Sequence, residues 1–302
     1  MSTGQSTGQI HDLGYKRYVG TRSSVGTRWT VIMRHQIATA WKGWWRFKLW
    51  LISAMMATAI AAGFLYLASG KLFRMMSGMG GQVIKFADGI LPLSTLWYCK
   101  VGFIVSLTIG ATLVAGDVGS GAFTFYFARS VRPRDYVLGK LAGIGVLVAL
   151  IMLAGPVLLA GLRLGLSDDL DQLIALLPIV YKALAIGLCG TLIYTAVPLG
   201  FSSLFTNKWL ALGLWAAYYL VLGSMAAGLG FLTRSPSVSA LDLPSALQAV
   251  SFALFDLHLN GPRDTTSLGP ALASILGHAA IAIGLVFWRV RAAQQAGVGG
   301  SS

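Results

Sequence analysis

The run Asp117-Val-Gly-Ser-Gly-Ala-Phe-Thr-Phe-Tyr-Phe-Ala-Arg-Ser-Val-Arg-Pro-Arg-Asp-Tyr-Val-Leu-Gly-Lys140 lies between two apolar stretches, 96–116 and 141–162. Each is long enough to cross a bilayer, which takes about 20 mainly apolar residues. The run is therefore a connection between two spanning helices, and it is built as more than a turn. Gly116, Gly119 and Gly121 break the span before it and let the backbone approach other elements. Phe123, Phe125, Tyr126 and Phe127 place large apolar area near a membrane surface, where it wants a partner groove or the interface. Arg129, Arg132 and Arg134 surround that area with positive charge. Pro133 suits the first turn of a new helix, and Asp135 suits that helix's positive end. The predicted helix continues through Gly139-Lys140 into the next span.

The flanking pattern extends over the whole chain. Its 302 residues are 56% hydrophobic and 11% charged, with a mean hydropathy of +0.71. Soluble domains carry about 25% charged residues. The reading is an all-α membrane protein with six transmembrane helices, at 49–68, 96–116, 141–162, 173–205, 209–231 and 268–288. The fourth run is too long and is predicted to cross over 179–204 after an interfacial start. The net charge of +13 does not point to nucleic acid, because the basic residues lie beside apolar runs rather than in one dense patch. The two cysteines, Cys99 and Cys189, fall inside spans without metal spacing and read as small buried residues.

Orientation follows from the lysines and arginines near span ends. With the N-terminus inside, the basic connection at 117–140, Lys208, Arg289, Arg291 and the basic residues before residue 49 are all cytoplasmic. An even number of spans then puts both termini in the cytoplasm. Residues 1–27, rich in Ser, Thr and Gly, read as a disordered cytoplasmic tail, and 293–302 as a flexible one. No cleavable signal peptide is evident, since the first long apolar run starts near residue 49.

Before the first span, 28–48 projects as an amphipathic helix. Trp29, Ile32, Met33, Ile37, Ala40, Trp41 and Trp44 fall on one side; Arg28, His35, Lys42 and Arg46 fall on the other, and Arg34 adds to its charge. The expectation is a helix lying in the membrane interface among lipid headgroups, either as a generic juxtamembrane helix or in contact with a partner. On the opposite side of the membrane, 232–267 holds an apolar stretch, 246–257, too short to span. It reads as a re-entrant or interfacial helix, serving either as a lid or as simple packing. His278 inside the last span is either a functional group or a satisfied histidine. Asp168, Asp169 and Asp171 read as a solvated turn rather than a cation site.

No phosphate-binding G-x-x-x-x-G-K-[ST] loop occurs, so the chain shows no ATP site of its own. No His, Asp, Ser and Cys set converges at one membrane depth, which leaves a membrane enzyme as a weak reading.

The pattern Asp117-x-x-x-Gly121, then Arg132-Pro133-Arg134-x-Tyr136-x-Leu138-Gly139-Lys140, resembles the region between the second and third spans of ABC-2 type transporter permeases. In that family an acidic residue, Gly-Thr, Pro-x-x-Arg and a Gly-Lys opening the third helix are usual. Here Asp117 stands where Glu is common, Ala122 follows Gly121 where Thr is usual, and Arg134 directly follows Pro133. The N-terminal amphipathic helix, six spans and re-entrant stretch complete the likeness, which is nearest to NosY-like single-domain permeases. The resemblance implies a permease subunit of an ATP-binding cassette exporter in the cytoplasmic (inner) membrane of a bacterium. Two copies would pair, and two separate ATPase subunits holding ATP and Mg would dock beneath; the chain itself would carry no cofactor or metal. It implies ATPase-coupling roles for Asp117, Gly121, Phe123, Phe125, Arg129, Arg132, Pro133 and Arg134. Arg28, Trp29, Arg34, Trp41, Lys42 and Trp44 would form the interfacial helix beside them. The competing reading is a membrane-embedded assembly protein whose same loop recruits a cytoplasmic partner without transport.

Overall fold

The computed structural model describes residues 25–70, 80–128, 131–257 and 266–299. Among these, every regular element is helical. Among the described residues, six segments are long and apolar enough to cross a membrane: Trp44–Ser69, Gly89–Gly119, Pro133–Gly165, Leu170–Leu204, Lys208–Thr233 and Leu268–Gln295. They coincide with the six predicted runs. Helices are what such runs must form, because a bilayer offers no water to satisfy backbone groups.

Helix α1 (Arg28–Lys42) ends at Gly43, and a π-helical turn at Trp44–Lys48 leads into α2 (Leu49–Ser69). The second span comprises α3 (Gly80–Val105), a π-helical turn at Ser106–Gly110 and α4 (Ala111–Gly119). A short helix, α5 (Ala122–Ala128), connects it to the third span, α6 (Pro133–Met152) and α7 (Ala154–Gly165). Helices α8 (Leu170–Leu176) and α9 (Pro178–Leu204) form the fourth. The fifth is α10 (Lys208–Ala217), a third π-helical turn at Tyr218–Leu222, and α11 (Gly223–Thr233). The short α12 (Pro236–Ser239) and α13 (Leu243–Phe255) precede α14 (Leu268–Gly299). Helix α14 runs to Gly299, through most of the stretch expected to be a flexible tail.

Helix α9 is the centre of the bundle, packed by α4, α6, α7, α10, α13 and α14. A polar seam ties the spans around it. Beyond the second π-helical turn, the amides of Val114 and Ala115 both donate to the Ser202 hydroxyl of α9, at 3.0 and 2.9 Å. The Trp215 indole donates to the Ser106 hydroxyl at 3.0 Å. Tyr219 stacks on Phe103 with ring centroids 4.0 Å apart, and its hydroxyl lies 2.9 Å from that of Tyr194. Such bonds each contribute about 0.5–1.5 kcal/mol and, unlike apolar contacts, distinguish a helix neighbour from lipid.

Helix α13 is 13 residues long with ten of them buried, from Leu243 to Phe252. Asp242 caps it, accepting from the Ser245 amide at 3.1 Å and from the Ser245 hydroxyl. The stretch packs on α3, α9 and α14. His278 is likewise satisfied: one ring nitrogen lies 2.6 Å from the Tyr218 hydroxyl, the other 2.7 Å from the Ser274 carbonyl. Asp169 caps α8 through the Gln172 amide at 2.7 Å, which accounts for one member of the acidic turn.

One end of the bundle gathers α1, the connection after α4 and the turn at 205–207, where Gly119 faces the Thr206 carbonyl; α14 also reaches α5. The connections at 166–169 and 234–242 lie at the other end.

Candidate functional site

The connection between the second and third spans is turned back by Ser120 and Gly121. Gly121 has φ +67°, a left-handed conformation that a side chain resists. The Ser120 amide bonds the Gly116 carbonyl at 3.0 Å, closing α4. Helix α5 then presents aromatic residues to two environments. Phe123 is buried, its ring 5.2 Å from that of Tyr136 in an edge contact and 5.7 Å from that of Phe127. Phe125, two positions on, is 75% exposed. Pro133 occupies the first turn of α6, and the Arg132 amide donates to the Asp135 carboxylate at 3.2 Å. Arg132 and Arg134 are exposed beside this start. Arg129 lies outside the described residues.

Asp117 does not face outward with them. Its carboxylate receives the Lys140 ammonium at 2.7 Å and the Tyr136 hydroxyl at 2.7 Å. The side chains of Lys140 and Asp117 are 7% and 20% exposed. Tyr136 and Lys140 are one helical turn apart on α6, so both reach a single carboxylate at the end of α4. The Tyr126 ring closes over Tyr136 at 5.3 Å. Burial, and then the charge of Asp117, push the Tyr126 phenol above its ordinary value, so it stays uncharged there. Of the predicted coupling set, Asp117 and Phe123 point into the bundle, where a charge must be paired and a phenyl ring can be covered. What remains on the surface from the predicted set is Gly121, Phe125, Arg132 and Arg134, with Pro133 half-buried as the hinge into α6.

Helix α1 lies against α6, not free of the protein. Gly139 and Gly143 make the crossing close. A methyl group at Gly139 would stand 2.8 Å from the Trp29 carbonyl oxygen, and one at Gly143 would stand 3.0 Å from the Gln36 amide carbon. The buried stripe of α1 is therefore Ile32, Gln36 and Ala40, not the full predicted apolar face. Trp41 and Trp44 remain exposed, as do Arg34 and Lys42, while Arg28 and Trp29 are half-buried. The helix also stops at Lys42 instead of continuing to residue 48, because Gly43 adopts an extended conformation.

Tyr136, Lys140 and Gln36 carry this geometry and were absent from the predicted site set. The spacing of Tyr136 and Lys140 on one helix face was a signal for the first two. Nothing in the local pattern marks Gln36, whose burial depends on two glycines a hundred residues away. Comparison with protein-family models and with curated proteins gives no match to this chain.

Proposed function

We propose that this chain is the permease subunit of an ABC-2 type ATP-binding cassette transporter, acting as an exporter in a bacterial cytoplasmic membrane. Two copies would form the path, and two separate ATPase chains would bind ATP and Mg. The observation that carries this reading is an outward-facing set within one connection: Phe125 is exposed two positions after the buried Phe123, and Arg132 and Arg134 are exposed at the start of α6. An exposed aromatic residue and exposed arginines in one segment are the composition of an interface anchor. Its mounting supports the mechanism as well. The Asp117–Lys140 pair joins the last turn of the second span to the first turns of the third. A push on α5 by a closing ATPase pair would reach both spans together, and α1 through its contact with α6. Binding energy spent in soluble subunits would thereby shift the population of membrane conformations.

The test is purification of the full chain from detergent, with the associated proteins assayed for ATPase activity. A Walker-motif chain is expected to copurify and to be lost with Arg132→Glu while the permease still inserts. Copurification of a non-ATPase partner alone overturns the transporter reading in favour of an assembly role. Retention of the ATPase after disruption of 117–140 overturns the coupling assignment.

A further inference from the structure

A cavity of about 270 Å³ opens between α1, the π-helical turn at 44–48, the end of the second span and α6. Ile32, Gln36, Arg46, Leu113, Asp117 and Lys140 are among the residues that line it. Three observations define what it accepts. The first is depth. Arg46 is the third residue of the span Trp44–Ser69, and Asp117 lies two residues from the end of the span Gly89–Gly119. Both therefore sit where a bilayer has headgroups, and exposed Trp41, Trp44 and Trp45 stand on the same helix and turn as interfacial anchors.

The second is charge. Asp117 and Lys140 neutralise each other, whereas Arg46 pairs with no carboxylate among the described residues. One uncompensated guanidinium at the wall favours one anionic charge, and guanidinium matches the geometry of a phosphate. The third is Gln36. Its side chain is 5% exposed, yet neither its amide nitrogen nor its amide oxygen has a hydrogen-bond partner. An unmatched buried polar group costs about 1–3 kcal/mol, so an occupant that both donates and accepts here is favoured.

We propose that this cavity holds the phosphoglycerol headgroup of an anionic phospholipid, its phosphodiester on Arg46 and a headgroup hydroxyl on the Gln36 amide, reached by a rotation of that side chain. The volume is below the roughly 300–1,000 Å³ of sites that enclose drug-sized molecules, which suits a headgroup whose acyl chains stay outside. An ethanolamine headgroup fits less well. Its ammonium would join Arg46 and Lys140, and the one carboxylate at the wall, Asp117, is already engaged by Lys140 and Tyr136. The proposal does not depend on the transporter reading: it concerns what seats α1 on α6 in the membrane.

The experiment is native mass spectrometry of the detergent-purified full chain after exchange with equal amounts of phosphatidylglycerol, phosphatidylethanolamine and phosphatidylcholine. Wild-type protein is expected to retain phosphatidylglycerol selectively. Arg46→Gln, an exposed position, should reduce that retention about tenfold, and Arg46→Lys should restore part of it. Gln36→Leu should narrow the preference over phosphatidylethanolamine. Equal retention of the three lipids, or no change with Arg46→Gln, overturns the proposal. Displacement of the lipid by soluble glycerol phosphate at the same concentration also overturns it, since the site would then belong to a small metabolite rather than a membrane lipid.

Discussion

Helices α5 and α13 are both short, apolar and aromatic-containing, and neither is long enough to cross a membrane. The bundle treats them oppositely. Helix α13 is drawn in among α3, α9 and α14 with ten of thirteen residues buried, while α5 stays at one end with Phe125 exposed. Apolarity alone therefore does not say whether a short helix in a membrane protein is core or contact surface. What decides is the neighbourhood: α13 is capped by a buried aspartate and has ten residues buried among α3, α9 and α14, whereas α5 touches α4 and α14 and turns Phe123 onto Tyr136 but leaves Phe125 outside. If the contrast holds, substitutions in the two helices must separate stability from association.

The largest effect is expected in α13. Leu247 is fully buried, and Leu247→Ala should cost about 2–5 kcal/mol, through lost transfer energy and the cavity left behind. Thermal unfolding in detergent should show a clearly lowered midpoint. A shift no larger than that of a surface substitution would show that α13 is a loosely held lid rather than core.

Next in size is the fastener beneath α5. Asp117→Asn leaves Lys140 without its counter-charge in a site where it is 7% exposed. Removing one partner of a buried pair costs about 3–5 kcal/mol, and the partial exposure of Asp117 places this case at the low end, about 3 kcal/mol. The double substitution Asp117→Asn with Lys140→Met should recover part of that loss, because it removes the stranded charge. No recovery in the unfolding midpoint would mean that the pair is not what holds the turn.

The contrast also separates what the sequence makes legible from what it hides. The six spans follow from composition, since 20-residue apolar runs have one solution in a bilayer. Phe125, Arg132 and Arg134 could be read as a surface because they occupy a polar break on the basic side. The inward turn of Asp117 could not, because it depends on how the Gly121 turn sets the end of α4 against the start of α6. The burial of α13 and the seating of Gln36 are likewise products of distant packing, invisible to a helical projection of either segment alone. Gly143 is an ordinary interruption in an apolar run until α1 is laid across it.

That crossing gives a third, smaller effect. Gly139→Ala would bring its methyl carbon within 2.7 Å of the Ile32 Cβ and 2.8 Å of the Trp29 carbonyl, forcing α1 outward. Overpacking of this kind costs about 1–3 kcal/mol. Proteolysis within α1 should accelerate while the unfolding midpoint of the bundle moves less than with Leu247→Ala. If cleavage in α1 is unchanged, the close contact yields without displacing the helix.

The smallest effect on stability, and the sharpest test of the comparison, belongs to Phe125→Asp. Its ring is mostly exposed, so the isolated protein should change by no more than about 0.5 kcal/mol, the range of ordinary surface substitutions. If the ring is an anchor for a cytoplasmic ATPase, the same change should abolish ATPase copurification, because a carboxylate would be buried in a pocket shaped for an aromatic group. Loss of association with an unshifted unfolding midpoint is the signature of a contact surface. A lowered midpoint would instead give α5 the character of α13, a helix whose apolar residues serve the bundle. Unaltered association would place the contact away from Phe125, with the exposed Arg132 and Arg134 next to test.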